Sequence, residues 1–137
     1  MSALPTCLAL IWFAWSAQNP PGKVALVVRG PAVVAFFPAV DEQKTQRDID
    51  TVAALDDFRH YAAKVSPILS QRGITFKQVY AGEFRITTGR KTRQFRPARP
   101  VGYYLILPGR SPRVHYGVAT DADLLHFVDG YFGASTR

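Results

Sequence analysis

Cysteine is almost missing from this chain: Cys7 is the only one among 137 residues. No disulfide can form within the chain, and Cys7 alone cannot build a cysteine-ligated metal site. Cys7 also lies in an uncharged apolar opening, MSALPTCLALIWFAWSA, which holds both tryptophans, Trp12 and Trp15. If that opening is removed, no thiol remains, and thiol–disulfide chemistry is excluded by composition. Long hydrophobic runs are lacking too. The apolar stretch over residues 3–17 falls short of the roughly 20 residues that a helical membrane span needs. Acidic residues are scarce, with 10 Asp and Glu against 17 Lys and Arg. No serine sits in a G-x-S-x-G elbow, and neither a glycine-rich phosphate loop nor a zinc-ligand spacing occurs. Internal repeats and low-complexity tracts are also absent.

The opening reads as a signal peptide over residues 1–17, with small Ala14 and Ser16 at −3 and −1 of a cleavage point. Gln18-Asn19-Pro20-Pro21-Gly22 then forms a turn-rich entry to a single domain over residues 18–137. The mature chain, about 120 residues, has the size of one ordinary domain. The expected location is periplasmic or secreted. Two features run against this: no Lys or Arg follows Met1, and Trp15 falls within the cleavage region. The competing reading is an intracellular protein whose first residues belong to its core.

The charge is asymmetric. The net is +7, yet residues 17–84 carry eight basic and seven acidic side chains, against nine and three from Arg85 onward. Arg85, Arg90, Lys91, Arg93, Arg96 and Arg99 crowd residues 85–100 without an acid among them. Such a block repels itself and attracts polyanions or acidic protein surfaces.

Two short β-branched runs, 24–28 and 32–37, are split by Arg29-Gly30-Pro31 and read as strands buried on both faces. Val52, Leu55, Phe58, Ala62, Val65 and Leu69 recur at helical spacing. Asp48 and Asp50 suit that helix's start, Gly73 its end, and Pro67 inside it predicts a kink near residues 64–66. A strand over 74–80 follows, so strand, helix and strand make a parallel βαβ unit. Residues 84–88 and 91–95 suggest a hairpin around Gly89-Arg90 within the basic connector. Residues 101–107 and 113–118 read as an antiparallel pair across Pro108-Gly109-Arg110-Ser111-Pro112. Thr120 or Asp121 caps a last helix with Leu124, Leu125, Val128, Tyr131 and Phe132 inward and Gly133 at its end.

This order resembles the thioredoxin-like fold over roughly residues 24–133. Residues 32–37 resemble its central strand, and Ser66-Pro67-Ile68-Leu69 is similar to its kinked helix. Pro100 before Val101-Gly102-Tyr103-Tyr104 resembles the position of its cis-proline. The resemblance implies an α/β domain of βαβ-ββα order, a mixed sheet flanked by helices. It also implies an inherited groove at Pro100 and Val101. The family's two-cysteine motif would fall at residues 59–62 or 38–41, and neither holds a cysteine. The implied protein is a redox-inert, non-catalytic binding domain without cofactor or metal.

Other constellations are weaker. His60 follows Asp56 by four residues, and His126 lies three from Asp123 and Asp129; surface helical pairs account for both. His115 alternates with Val114 and Tyr116 and so faces the other side of its sheet. Tyr103 and Tyr104 beside the Arg-rich connector suggest a nucleic-acid platform, but successive strand residues face opposite sides. The leading expectation is an exported interaction domain. Arg90, Lys91, Arg93, Arg96 and Arg99 would face an acidic protein or an anionic envelope component. The alternative is an intracellular nucleic-acid-binding domain.

Overall fold

The computed structural model describes residues 24–39 and 49–133. The expected leader, Cys7 and both tryptophans lie outside the described residues, as do Asp41, Glu42 and Asp48. Among the described residues, seven strands and two helices follow one another: β1 (Val24–Val28), β2 (Ala32–Phe37), α1 (Ile49–Gln71), β3 (Thr75–Tyr80), β4 (Phe84–Thr88), β5 (Lys91–Phe95), β6 (Gly102–Ile106), β7 (Arg113–Tyr116) and α2 (Asp121–Phe132).

The strands form two sheets, not the one mixed sheet that the sequence suggested. The larger has the order β3-β2-β6-β7, with β2 and β3 parallel and β6 and β7 antiparallel to their neighbours. The smaller has the order β1-β4-β5, in which β1 runs parallel to β4 and β4 antiparallel to β5. The two described helices both lie on one face of the larger sheet. Val33, Ala35 and Phe37 on one face of β2 pack with Phe58 and Val65 of α1 and Val128 of α2. Val34 and Phe36, on the other face, pack with Phe84, Ile86 and Phe95 of the smaller sheet. The result is three layers: helices, larger sheet, smaller sheet.

This layering explains the burial of β2. All six of its residues are buried, as expected for a strand covered on both faces. The same expectation fails for β1. Its residues alternate, with Val24 and Leu26 against the core and Ala25 and Val27 outward; Val27 is 62 % exposed. An edge strand covered on one face shows this period of two.

The predicted helical stripe is the one that buries, with Leu55, Phe58, Ala62, Val65 and Leu69 all inward. α1 continues through Pro67 without a break. The carbonyl that Pro67 leaves unbonded belongs to Ala63, on the exposed side of the helix, where water can reach it. Gly73 ends α1 in a left-handed turn, φ +74°. The Gly73 amide donates to Ser70 and the Ile74 amide to Leu69, the paired bonds of a Schellman cap. Ile74 thereby turns into the core at the entry to β3. At α2, the Thr120 hydroxyl accepts from the Asp123 amide at 3.2 Å, and Asp121 and Asp123 meet the positive end of the helix dipole.

Candidate functional site

The basic connector folds as the β4–β5 hairpin. Thr88 pairs with Lys91, leaving Gly89 and Arg90 as a two-residue loop. Gly89 has φ +63° and Arg90 a negative φ, so the loop is of the type II′ kind that matches strand twist. Pairing register then sorts the cations. Arg85 and Gln94 share the outer face, and Arg85 Nε donates to Gln94 Oε1 at 3.1 Å. Thr87 and Thr92 hydroxyls meet beside them at 2.9 Å. Lys91, Arg93 and Phe95 alternate to the inner face.

That inner face is one wall of a cleft of about 330 Å³. Ile86, Phe95 and Ile106 supply its apolar surface. The opposite wall is the β6–β7 turn. Leu107 accepts a hydrogen bond from the Arg110 amide at 3.0 Å, with Pro108 and Gly109 (φ +82°) between them. Proline at the second position and a left-handed glycine at the third define a type II turn. The turn sets Arg110 beside the cleft, and three contacts hold it from behind. Arg110 Nη1 donates to the Tyr131 carbonyl, its guanidinium lies 4.8 Å from the Tyr131 ring centroid, and Tyr131 Oη donates to the Ser111 carbonyl. The Tyr131 carbonyl belongs to the last turn of α2, where carbonyls lack helical partners and cations are favoured.

Lys91, Arg93 and Arg110 thus line one cleft, and no acidic residue lines it with them. The side chains of Lys91 and Arg93 meet no carboxylate among the described residues. Thr88 and Ser111 add hydroxyls to the lining. Such a site can take an anion, with the Arg forks matching a carboxylate or phosphate edge.

The five basic residues expected to act together do not all gather here. Arg96 is held by Glu83, Nε to Oε2 at 2.8 Å. Arg90 occupies the hairpin loop, and Arg99 lies in the connection to β6. Pro100 and Val101 also sit away from the cleft. They precede β6 at the end where Gly102 pairs with Phe36, whereas the cleft opens at the other end, where Ile106 pairs with Ala32. From Pro100 to Leu107 is roughly 23 Å along an extended chain. The Arg99–Pro100 peptide is trans, since the described residues contain no cis bond. Val101 is tied to β7 by the Gly117 amide, and the Ala98 amide donates to Tyr116 Oη.

The tyrosine platform does not form. Tyr103 is 1 % exposed against Phe58, and its hydroxyl accepts from the Ala119 amide at 3.2 Å. Burial pushes this hydroxyl's pKa up, with the Ala119 bond opposing. Tyr104 turns to the other face, edge-on to Phe95. Its pKa is also raised, by burial first and then by Tyr116. His60 is exposed beside Tyr61, and Asp129 pairs with Arg72 rather than with His126. His115 stacks on Phe127 of α2, on the face opposite Val114 and Tyr116, as its alternation predicts. No three His, Cys, Asp or Glu side chains among the described residues cluster as metal ligands.

Arg110 is the residue that sequence reasoning missed. It lies in a turn far along the chain from Lys91 and Arg93, so no local pattern joins them. Fold and cleft together define a small α/β domain with two mixed sheets and two helices, none of them long and apolar enough to span a membrane among the described residues. Comparison with known proteins returns no matching family model, no matching curated protein and no matching solved structure.

Proposed function

We propose that this chain is an exported, redox-inert binding domain of the thioredoxin-like kind, which captures an anionic partner in the cleft between β5 and the β6–β7 turn. The observation that carries it is the convergence of Lys91, Arg93 and Arg110 on a cleft without a lining acid. The fold relationship draws support from the β2–α1–β3 unit and the β6–β7–α2 unit sharing one sheet of order β3-β2-β6-β7. Redox inertness draws support from the sequence, in which Cys7 has no second cysteine to pair with and is lost if the leader is cleaved.

The test uses tripolyphosphate and polyglutamate as anion probes in calorimetric titrations. Lys91→Gln/Arg93→Gln is expected to weaken both by at least about tenfold, since charge-assisted hydrogen bonds carry the affinity. Equal affinity of wild type and variant removes the cleft as the site. Export is checked separately by the intact mass of C-terminally tagged protein from cell fractions. Loss of about 16 or 17 residues in an exported fraction is expected of a cleaved leader, and a full-length cytosolic mass overturns it.

A further inference from the structure

β5 is an edge strand, since the smaller sheet has the order β1-β4-β5. A two-residue hairpin loop is closed by a pair that exchanges both backbone bonds, and such pairs alternate along the ladder. Thr88/Lys91, Ile86/Arg93 and Phe84/Phe95 are therefore the bonded pairs of this hairpin. The close side-chain contacts of Thr87 with Thr92 and of Arg85 with Gln94 fit the non-bonded positions between them. It follows that the backbone N–H and C=O groups of Thr92 and Gln94 point away from β4, and no strand among the described residues pairs there. Side chains of the residues that alternate with them, Lys91 and Arg93, line the cleft.

From this we infer that the partner is an acidic peptide segment that binds in extended form along β5, adding a fourth strand to the smaller sheet. This rests on the anion-capturing reading of the cleft and names its occupant. Backbone bonds to Thr92 and Gln94 supply the attachment, as in other cases of strand addition. Specificity comes from alternation. Peptide residues opposite Lys91 and Arg93 project into the cleft about 7 Å apart, two positions along an extended chain. Acids at those two positions meet the two cations, with Arg110 across the cleft. The next inward position lies opposite Phe95 and takes an apolar side chain. The same two cations repel a basic strand and discourage an apolar one, the usual guard on an open edge. Phosphate-bearing polymers would use the charge but have no use for the unpaired edge, which is why a peptide is favoured.

Fluorescence anisotropy with labelled synthetic heptapeptides tests this on the full protein. The probes are Thr-Glu-Thr-Glu-Thr-Val-Thr and its reversed sequence, one for each strand direction. A control with adjacent glutamates, Thr-Glu-Glu-Thr-Thr-Val-Thr, keeps the charge but puts the carboxylates on opposite faces. A second control carries N-methyl groups at the positions that bond β5. At least one alternating peptide is expected to bind about tenfold or more tighter than both controls, and Lys91→Gln/Arg93→Gln to remove that difference. On binding, the Thr92 and Gln94 amides are expected to gain protection from hydrogen exchange. Equal affinity for alternating and adjacent glutamates, or unchanged exchange at Thr92 and Gln94, overturns the inference. Tripolyphosphate or a DNA oligomer binding where no peptide does overturns it as well, while leaving the anion cleft standing. Silence from every anion probe removes both.

Discussion

Phe95 lies stacked on Phe84 across the β4–β5 pair, with ring centroids 5.7 Å apart and planes within 6° of parallel. The same Phe95 ring meets Tyr104 of the larger sheet edge-on at 4.5 Å. One side chain thus ties the edge strand that carries Lys91 and Arg93 to the sheet beneath it. Phe95→Ala is expected to cost about 3 kcal/mol, the lower end for a buried aromatic truncation. A shift in the urea midpoint at unchanged slope checks this. Anion affinity should fall with it, because the strand loses its anchor.

Gly102 begins β6 where the two sheets and β7 crowd together. A Cβ there would stand 2.5 Å from the His115 carbonyl oxygen and 2.8 Å from Phe36 Cζ. The backbone oxygen is part of the β6–β7 ladder and has little freedom to retreat. Gly102→Ala is expected to destabilise by about 1–3 kcal/mol, the range for overpacking a filled site. Gly82, with open space around it, is the control: Gly82→Ala should leave the thermal midpoint nearly unchanged.

Tyr103 and Tyr104 are expected to weaken the fold at alkaline pH. Burial raises both hydroxyls above the ordinary tyrosine value, the larger cause in each case. In the folded state they keep protons that the unfolded chain begins to release near pH 10. The associated stability is complete below about pH 10 and falls as pH rises through the raised values. Urea titrations from about pH 8 to about pH 11 should show the midpoint dropping at the upper end. Tyr103→Phe should flatten that drop. It should also cost about 1–3 kcal/mol at neutral pH, because it leaves the buried Ala119 amide unpaired.

How much of this was legible in the sequence depends on the range of the contact. The α1 stripe, the Gly73 cap, the Thr120 cap and the Gly89-Arg90 hairpin follow from neighbours within a few residues, and all appear where the pattern places them. The pairing of β1 with β4 joins Val24 to Phe84, and nothing in either segment names the other. For that reason the pattern of β1 reads as a strand buried on both faces, whereas among the described strands it is an edge covered on one. The basic connector was visible as charge, but its division was not. Strand alternation sends Lys91 and Arg93 to one face and leaves Arg85 on the other, and only the register reveals which. The join of Arg110 to them is a matter of tertiary packing alone.

Arg96 separates charge from site. Its bond to Glu83 lies in solvent, with side-chain exposures of 78 % and 42 %. Exposed pairs of this kind contribute about 0–1 kcal/mol, so Arg96→Ala should change the unfolding free energy by no more than that. Its affinity for tripolyphosphate should stay close to wild type, which a parallel titration reads.

The most direct measurement compares Arg93→Glu with Arg99→Glu in tripolyphosphate titrations at one ionic strength. Both variants reverse one exposed cation, so the change in net charge is the same. Arg93 lines the cleft, whereas Arg99 lies beside Pro100 at the other end of β6. The expected result is a loss of at least about tenfold for Arg93→Glu and no more than about threefold for Arg99→Glu. Equal losses would mean that overall charge alone draws the anion. A larger loss for Arg99→Glu would place binding at the Pro100–Val101 end, and either outcome contradicts the cleft as the binding site.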